Sequence, residues 1–283
     1  MQSDVVQRAV QAISSMDFSA WFARTSPYTF DHPAILVAGI STYLVVLSSI
    51  VLFMRNRKPY QLKLPFAIES GFLSVFSFIT LCGIVSSAMR SWIVDGASFE
   101  DLVCDQNGTV LPGMRIWIHL FYIAKHVEFL DSFFLALQKK DLAFLHVFHH
   151  ASYIIPCWGA SYGGFTSQWH LALLNTFIHT VMYGYYALSG YVPAVKKIAK
   201  YITSMQMIQF LLGNFGLGLA FWYYVAHGRH CSGHPWIASS SNLFTGIYFA
   251  LFAKMYIQRY IRGTSKKSDA AAQKASDADK KAQ

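Results

Sequence analysis

PAILVAGISTYLVVLSSIVLFM, Pro33 to Met54, carries no charged residue, and its polar side chains are only Ser, Thr and Tyr. About 20 such residues in a helix cross the roughly 30 Å of hydrocarbon in a bilayer, so this stretch reads as a transmembrane helix. Working outward from it, apolar runs recur at Pro65 to Met89, Ile116 to Gln138, Leu142 to Tyr162, Trp169 to Leu188, Tyr201 to Ala226 and Trp236 to Ile261. The runs are continuous and do not alternate, which fits helices and not the strands of a barrel. The expected fold is an all-α integral membrane protein with seven transmembrane helices. Composition agrees: 54% of residues are hydrophobic and 13% are charged, about half the charged share of a soluble domain.

The net charge of +9 does not point to nucleic acid, because the basic residues gather in alternate loops. Arg55, Arg57, Lys58 and Lys63 follow the first span, and Lys139 and Lys140 follow the third. Lys196, Lys197 and Lys200 follow the fifth, while Arg259, Arg262, Lys266 and Lys267 close the last. The intervening loops hold only Arg90, Arg115 and Arg229. Cations favour the cytosolic side, so the basic loops and the C-terminus are expected in the cytosol and the N-terminus opposite.

This topology divides the chain into a non-cytosolic segment at 1–32, a seven-helix domain at 33–262 and a cytosolic tail at 263–283, too polar to order itself. Residues 1–31 show no cleaved-signal pattern, although Val6, Val10 and Ile13 have the spacing of a short interfacial helix. Cys104 and Cys231 fall in the two long non-cytosolic loops, where a disulfide between them is expected. Beside the first, Asn107, Gly108 and Thr109 form a glycosylation acceptor. Cys82 and Cys157 lie within spans and read as packing residues. Lys280 and Lys281 resemble the dilysine address that returns membrane proteins to the endoplasmic reticulum.

Ionisable groups inside a span cost about 2.5 to 3.5 kcal/mol or more, so they are expected to face a cavity and act there. The third span carries Lys125, His126, Glu128 and Asp131; the fourth carries HVFHH, with His146, His149 and His150. The fifth carries His170, Asn175 and His179, and the sixth Thr203, Gln206, Gln209 and Asn214. His146, His149 and His150 stand at i, i+3 and i+4 and share one helix stripe. Asn175, His179, Met182, Tyr183 and Tyr186 share another, and Lys125 is spaced to pair with Glu128.

Three chemistries compete for the histidine stripe. A metal site would like the spacing, but the di-iron membrane desaturases that share HxxHH carry several boxes and only one occurs here. A proton relay in a transporter predicts broken helices in two matching halves, which are not visible. Nucleophilic and general-base catalysis by imidazole suits the surrounding carboxylates, amides and tyrosines best. A metal-dependent lipid oxidase or hydroxylase, and a seven-helix transporter or receptor, are the alternatives in function.

KHVEFLD (Lys125 to Asp131), FLHVFHH (Phe144 to His150), NTFIHTVMYGYY (Asn175 to Tyr186) and TSMQMIQ (Thr203 to Gln209) resemble, in order and spacing, the signature segments of the ELO family of very-long-chain fatty acid elongases. The resemblance covers about residues 30–262. It implies that six of the seven helices form a barrel around an acyl tunnel, with the first helix outside. It also implies a 3-ketoacyl-CoA synthase that joins malonyl-CoA to a long-chain acyl-CoA, releasing carbon dioxide and CoA. Neither a cofactor nor a metal is expected. The implied partners are the reductases and dehydratase of the elongation cycle, membrane lipid and a second copy of the chain.

No cysteine lies near the polar cluster, so a histidine is expected to replace the usual cysteine nucleophile: His149, with His150 as the alternative. His146 and His150 would orient and shuttle protons, while His179 and Asn175 would bind the malonyl or enolate oxygen. Glu128 and Asp131 are expected to set histidine tautomers, and Lys125, Tyr183, Tyr186, Gln206 and Gln209 to line the site. The box lies about 9 to 15 Å below the cytosolic surface at roughly 1.5 Å per residue, within reach of a pantetheine arm. Lys139, Lys140, Lys196, Lys197, Lys200 and Arg262 are candidates to hold CoA phosphates. Asp141 stands where polyunsaturated-type elongases often have Gln, which weakens that substrate class. Phe210 to Trp222 is the stretch expected to set tunnel length.

Overall fold

The computed structural model describes residues 32–106, 108–163, 167–226, 231 and 235–262. Asn107, the stretch from Val6 to Ile13, and Lys280 with Lys281 lie outside the described residues. The elements are α1 (Pro33–Met54), α2 (Lys63–Ile93), α3 (Phe99–Cys104), α4 (Leu111–Val127), α5 (Phe129–Leu137) and α6 (Phe144–Gly163), followed by α7 (Gln168–Ser189), a 3-10 turn (Pro193–Ile198), α8 (Ala199–Ala226), α9 (Pro235–Tyr256) and a π turn (Ile257–Arg262). Among the described residues there is no strand.

α1 begins and ends where the apolar run does. Pro33 at its first position has no N–H to leave unpaired, and the His32 ring accepts the Ala34 N–H at 3.1 Å. Its buried residues, Leu36, Tyr43, Leu47 and Met54, form one narrow stripe. Val37, Leu44, Val45, Leu52 and Phe53 point outward, as do Leu64, Ile68, Phe72, Val75 and Ile79 of α2. Only 17% of the apolar window of α1 and 28% of that of α2 is buried, too little for the core helices of a soluble protein. Continuous apolar rows of this length belong against lipid. By length and apolar composition alone, α1 and α2 qualify as membrane spans among the described residues. The other expected spans carry the polar residues that form the interior.

α2 packs on α7, α7 on α8, α8 on α9, α9 on α6, α6 on α4, and α4 back on α2. α1 stands outside this succession and packs on α5 and α6. The approach of α4 to α2 is close enough that a Cβ at Gly83 would overlap the Trp117 ring, and a Cβ at Gly216 of α8 would overlap the His170 ring of α7. Glycine is the residue that permits both contacts.

The third span departs from its expected continuity. α4 stops at Val127 and α5 starts at Phe129, with Glu128 between them at ψ −16° and the Asp131 N–H bonded to the Glu128 carbonyl at 3.2 Å. This tightened turn leaves α4 among α2, α6 and α7, while α5 leans on α1. A hydropathy window averages over such a joint. α3 also had no counterpart in the sequence reading; Ser98 and Asp101 cap it reciprocally. Cys104 at its end is disulfide-bonded to Cys231, ahead of α9.

Candidate active site

The last turn of α4, the joint at Glu128 and one face of α7 bring four polar side chains together. Lys125 Nζ donates to Glu128 Oε1 at 2.7 Å and to Asn175 Oδ1 at 2.9 Å, and His179 Nδ1 lies 3.1 Å from the same Glu128 oxygen. All four residues are buried. An ammonium and a carboxylate persist at such a depth only as a hydrogen-bonded pair. The Phe121 ring, 4.5 Å from Lys125 Nζ, adds its π face to the cation's surroundings.

These contacts fix the roles of the outer atoms. A lysine ammonium can only donate, so Asn175 presents Oδ1 to it and turns its NH₂ donor away from the lysine. A carboxylate can only accept, so His179 carries its proton on Nδ1, and in the neutral ring Nε2 is left as an acceptor. Asn175 and His179 stand one turn apart on α7, giving a donor and an acceptor side by side. Glu128 Oε2 is buried without a partner. A cavity of about 10 Å³, lined by Thr80, Phe121, Lys125, Glu128, Asn175 and His179 among others, leaves room for about one water there.

The histidine box faces this cluster from α6. Lys125 and Glu128 act electrostatically on both His149 and His150. Rings hold His149: it stacks on Tyr153 at 5.1 Å and meets Tyr248 edge-on at 5.0 Å. The Tyr248 hydroxyl is itself fixed 2.8 Å from Ser152 Oγ. His146 is held from the other side, its Nε2 lying 2.9 Å from Ser132 Oγ, which in turn lies 2.9 Å from the Tyr43 hydroxyl of α1. His150 packs between its two neighbours, 4.5 Å from the ring of His146 and 5.4 Å from that of His149.

The two acidic residues of KHVEFLD separate. Glu128 takes His179, whereas Asp131 accepts the Tyr183 hydroxyl at 2.7 Å and lies within hydrogen-bonding reach of Glu69 on α2. Gln206 donates to Met182 Sδ at 3.3 Å, Gln209 is buried, and Tyr186 lies edge-on to Tyr183. Lys196 and Lys197 are exposed on the 3-10 turn and Lys200 at the start of α8, where its ammonium sits over Tyr256. They do not join the cluster. Lys139, Lys140 and Arg55 instead line an open pocket of about 490 Å³ with Val51, Met54, Ala136, Asp141 and Leu142. Its wall residue Ala136 is one helical turn past Ser132.

Glu69, Tyr43, Ser132, Tyr153 and Tyr248 were not singled out from the sequence. Glu69 had a signal: it is the one charged residue in the run from Pro65 to Met89, and a lone carboxylate inside a span calls for a partner. The hydroxyls had none, since Ser and Tyr are ordinary in apolar helices. Among the described residues, no group of three or more His, Cys, Asp or Glu is arranged to hold a metal ion.

The model of the GNS1/SUR4 family, ELO, matches residues 28–268. The chain belongs to the ELO family. A Dictyostelium discoideum protein provisionally named a fatty acid elongase is 34% identical over 82% of this chain and 77% of its own length. Very long chain fatty acid elongase 6 of Gallus gallus is 31% identical over 75% of this chain and 79% of its own. Very long chain fatty acid elongase 4 of Trypanosoma cruzi is 28% identical over 83% and 84%. The matched stretch of this ELO protein contains all of the site: Lys125, Glu128, the three box histidines, Asn175 and His179.

Proposed function

We propose that this ELO protein is the condensing enzyme of fatty acid elongation, a 3-ketoacyl-CoA synthase joining malonyl-CoA to a long-chain acyl-CoA through an acyl-histidine. The observation that carries the reading is the pre-set pair on α7: an Asn175 NH₂ held outward by Lys125, and a His179 Nε2 freed by Glu128. An oxyanion donor beside an imidazole base, opposite a further imidazole, is the equipment of acyl transfer.

In the first half-reaction His149 attacks the thioester carbonyl. An N–C bond forms, the C–S bond breaks, and the proton lost from the imidazolium goes to the CoA thiolate. An acyl-imidazole remains activated toward a carbon nucleophile. In the second, malonyl-CoA loses carbon dioxide, and the electrons of the broken C–C bond form the enolate. Its carbon attacks the acyl carbon, the N–C bond breaks, and the imidazole nitrogen recovers a proton. The sum consumes one proton for each CO₂ and CoA released. Asn175 stabilises the enolate oxygen, His179 Nε2 exchanges the proton, and His146 and His150 orient the nucleophile.

The succession of six helices with α1 outside is read as a barrel whose interior, from the polar cluster toward Ala160 and Gln168, opens to take the acyl chain. The pocket of Arg55, Lys139 and Lys140 is the fitting place for CoA phosphates. The cytosolic orientation of the basic loops, residence in the endoplasmic reticulum, and association with the reductases and dehydratase that process the 3-keto product belong to the same proposal.

The test is to incubate the purified protein with labelled malonyl-CoA and a panel of acyl-CoAs. Products two carbons longer and bearing a 3-keto group are expected; none across all chain lengths would defeat the proposal.

A further inference from the structure

The condensing reaction needs a proton at every turnover, and beside the polar cluster two further carboxyl groups meet. Glu69 of α2 and Asp131 of α5 lie within hydrogen-bonding reach of each other. Two ionised carboxylates have no hydrogen to share, so such a contact exists only when one of them is protonated. Among the described residues no donor reaches Glu69 Oε1 or Asp131 Oδ1, and both atoms are buried. Asp131 itself is 6% exposed, and its second oxygen is occupied by the Tyr183 hydroxyl at 2.7 Å. Glu69 Oε2 accepts from Ser70 Oγ at 3.5 Å.

We propose that Glu69 and Asp131 share one proton and serve as the proton store that resupplies the site after each condensation. The inference rests on the condensing activity proposed above. Position supports it from both directions. Glu69 lies less than two turns from Lys63, the exposed first residue of α2, and is half-buried. Asp131 lies one turn beyond Glu128 on the broken third span. Tyr183, which bonds Asp131, stands one turn from His179, its ring 5.3 Å from the imidazole. The proton passes from the pair toward His179, and the pair reloads from water through Glu69. Charge is conserved: the pair goes from one negative charge to two on giving up its proton and returns on reloading. Glu69 and Asp131 touch no reacting atom and are positioning residues in this scheme.

Glu69→Gln and Asp131→Asn test it in the full chain. Each amide keeps the size of the protonated acid and can donate an N–H to the remaining carboxylate, but neither has an acidic proton to give. Infrared spectroscopy of the parent is expected to show a buried protonated carboxyl band that shifts in D₂O and disappears in both variants. Formation of the acyl adduct, followed by intact mass, should stay within about twofold, while single-turnover condensation from that adduct slows roughly 100-fold, the usual weight of a general acid. A parent without the band overturns the shared proton. Condensation at the parental rate in a variant that has lost the band overturns the supply role and leaves a purely structural pair. A parent that makes neither adduct nor product defeats the condensing activity, and with it the supply role, while the band still decides the pair. If one variant fails to fold, the other decides both questions.

Discussion

At one end of the helix ring Lys125, Glu128, Asn175 and His179 hold one another by charge-assisted hydrogen bonds. At the other, α3 is tied by Cys104–Cys231 to the residues ahead of α9; between the two lies a cavity of about 10 Å³, walled from Tyr153, which stacks on His149, through Ile118, Ala160, Leu171 and Ala172 to Gln168, Ser241 and Thr245. The polar end fixes where single atoms point, because donors and acceptors leave one arrangement. The cavity beyond it fixes chiefly volume, because the apolar side chains that make up most of its wall have no preferred direction. The first should govern chemistry, and the second should govern which acyl chain fits.

His149→Ala puts the sharpest strain on that division. Removing the nucleophile should cost roughly 10⁴-fold in turnover and abolish the acyl adduct; an adduct as abundant as the parent's would move the role to another histidine. Lys125→Met comes next, since it leaves the Glu128 carboxylate without its cation in the interior, held by His179 alone among the described residues. The expected loss is about 3 to 5 kcal/mol, read as a lowered unfolding midpoint in detergent. Adding Glu128→Gln should recover much of it. A Lys125→Met protein as stable as the parent would deny the polar end its structural share.

Replacing Cys104 and Cys231 with Ser should cost about 2 to 4 kcal/mol of stability while leaving adduct formation intact at low temperature. Loss of the adduct in a folded double variant would show that the far end also shapes the chemistry. Ala160→Leu should have the smallest effect: preference shifts toward shorter acyl-CoAs, at about 1 to 3 kcal/mol per displaced methylene, with the rate on a short substrate unchanged. An equal loss for all chain lengths would erase the distinction between the two ends.

Much of this was readable before any coordinates. The apolar run gave α1 its two ends, and the shared stripes at His146, His149, His150 and at Asn175, His179, Tyr183 follow from helical periodicity alone. The pairing of Lys125 with Glu128 followed from spacing and from the cost of burying either alone. The break at Glu128 was not legible, because it is made by contacts across to α7 that no local window contains. Asp131 was expected against a histidine and is found with Tyr183 and Glu69, for the same reason: the break changes the direction in which α5 presents it. Lys196, Lys197 and Lys200 were expected at the mouth of the site as holders of CoA phosphates; they are exposed on the 3-10 turn and at the start of α8, where no neighbouring group fixes from sequence the way a lysine reaches.

α2 has 31 residues, or about 46 Å of helix. Even at a tilt of about 40° its height is about 35 Å, more than the roughly 30 Å of hydrocarbon it must cross. The end of α2 carries the exposed Arg90–Asp95 pair, and α2 packs there on α3. Cys104 and Cys231 are buried there among Leu171, Leu217, Ala220 and Ile237. A water-soluble reductant reaches so buried a bond only when α3 swings away from α8, so the rate of its reduction reports how often that end of the molecule opens.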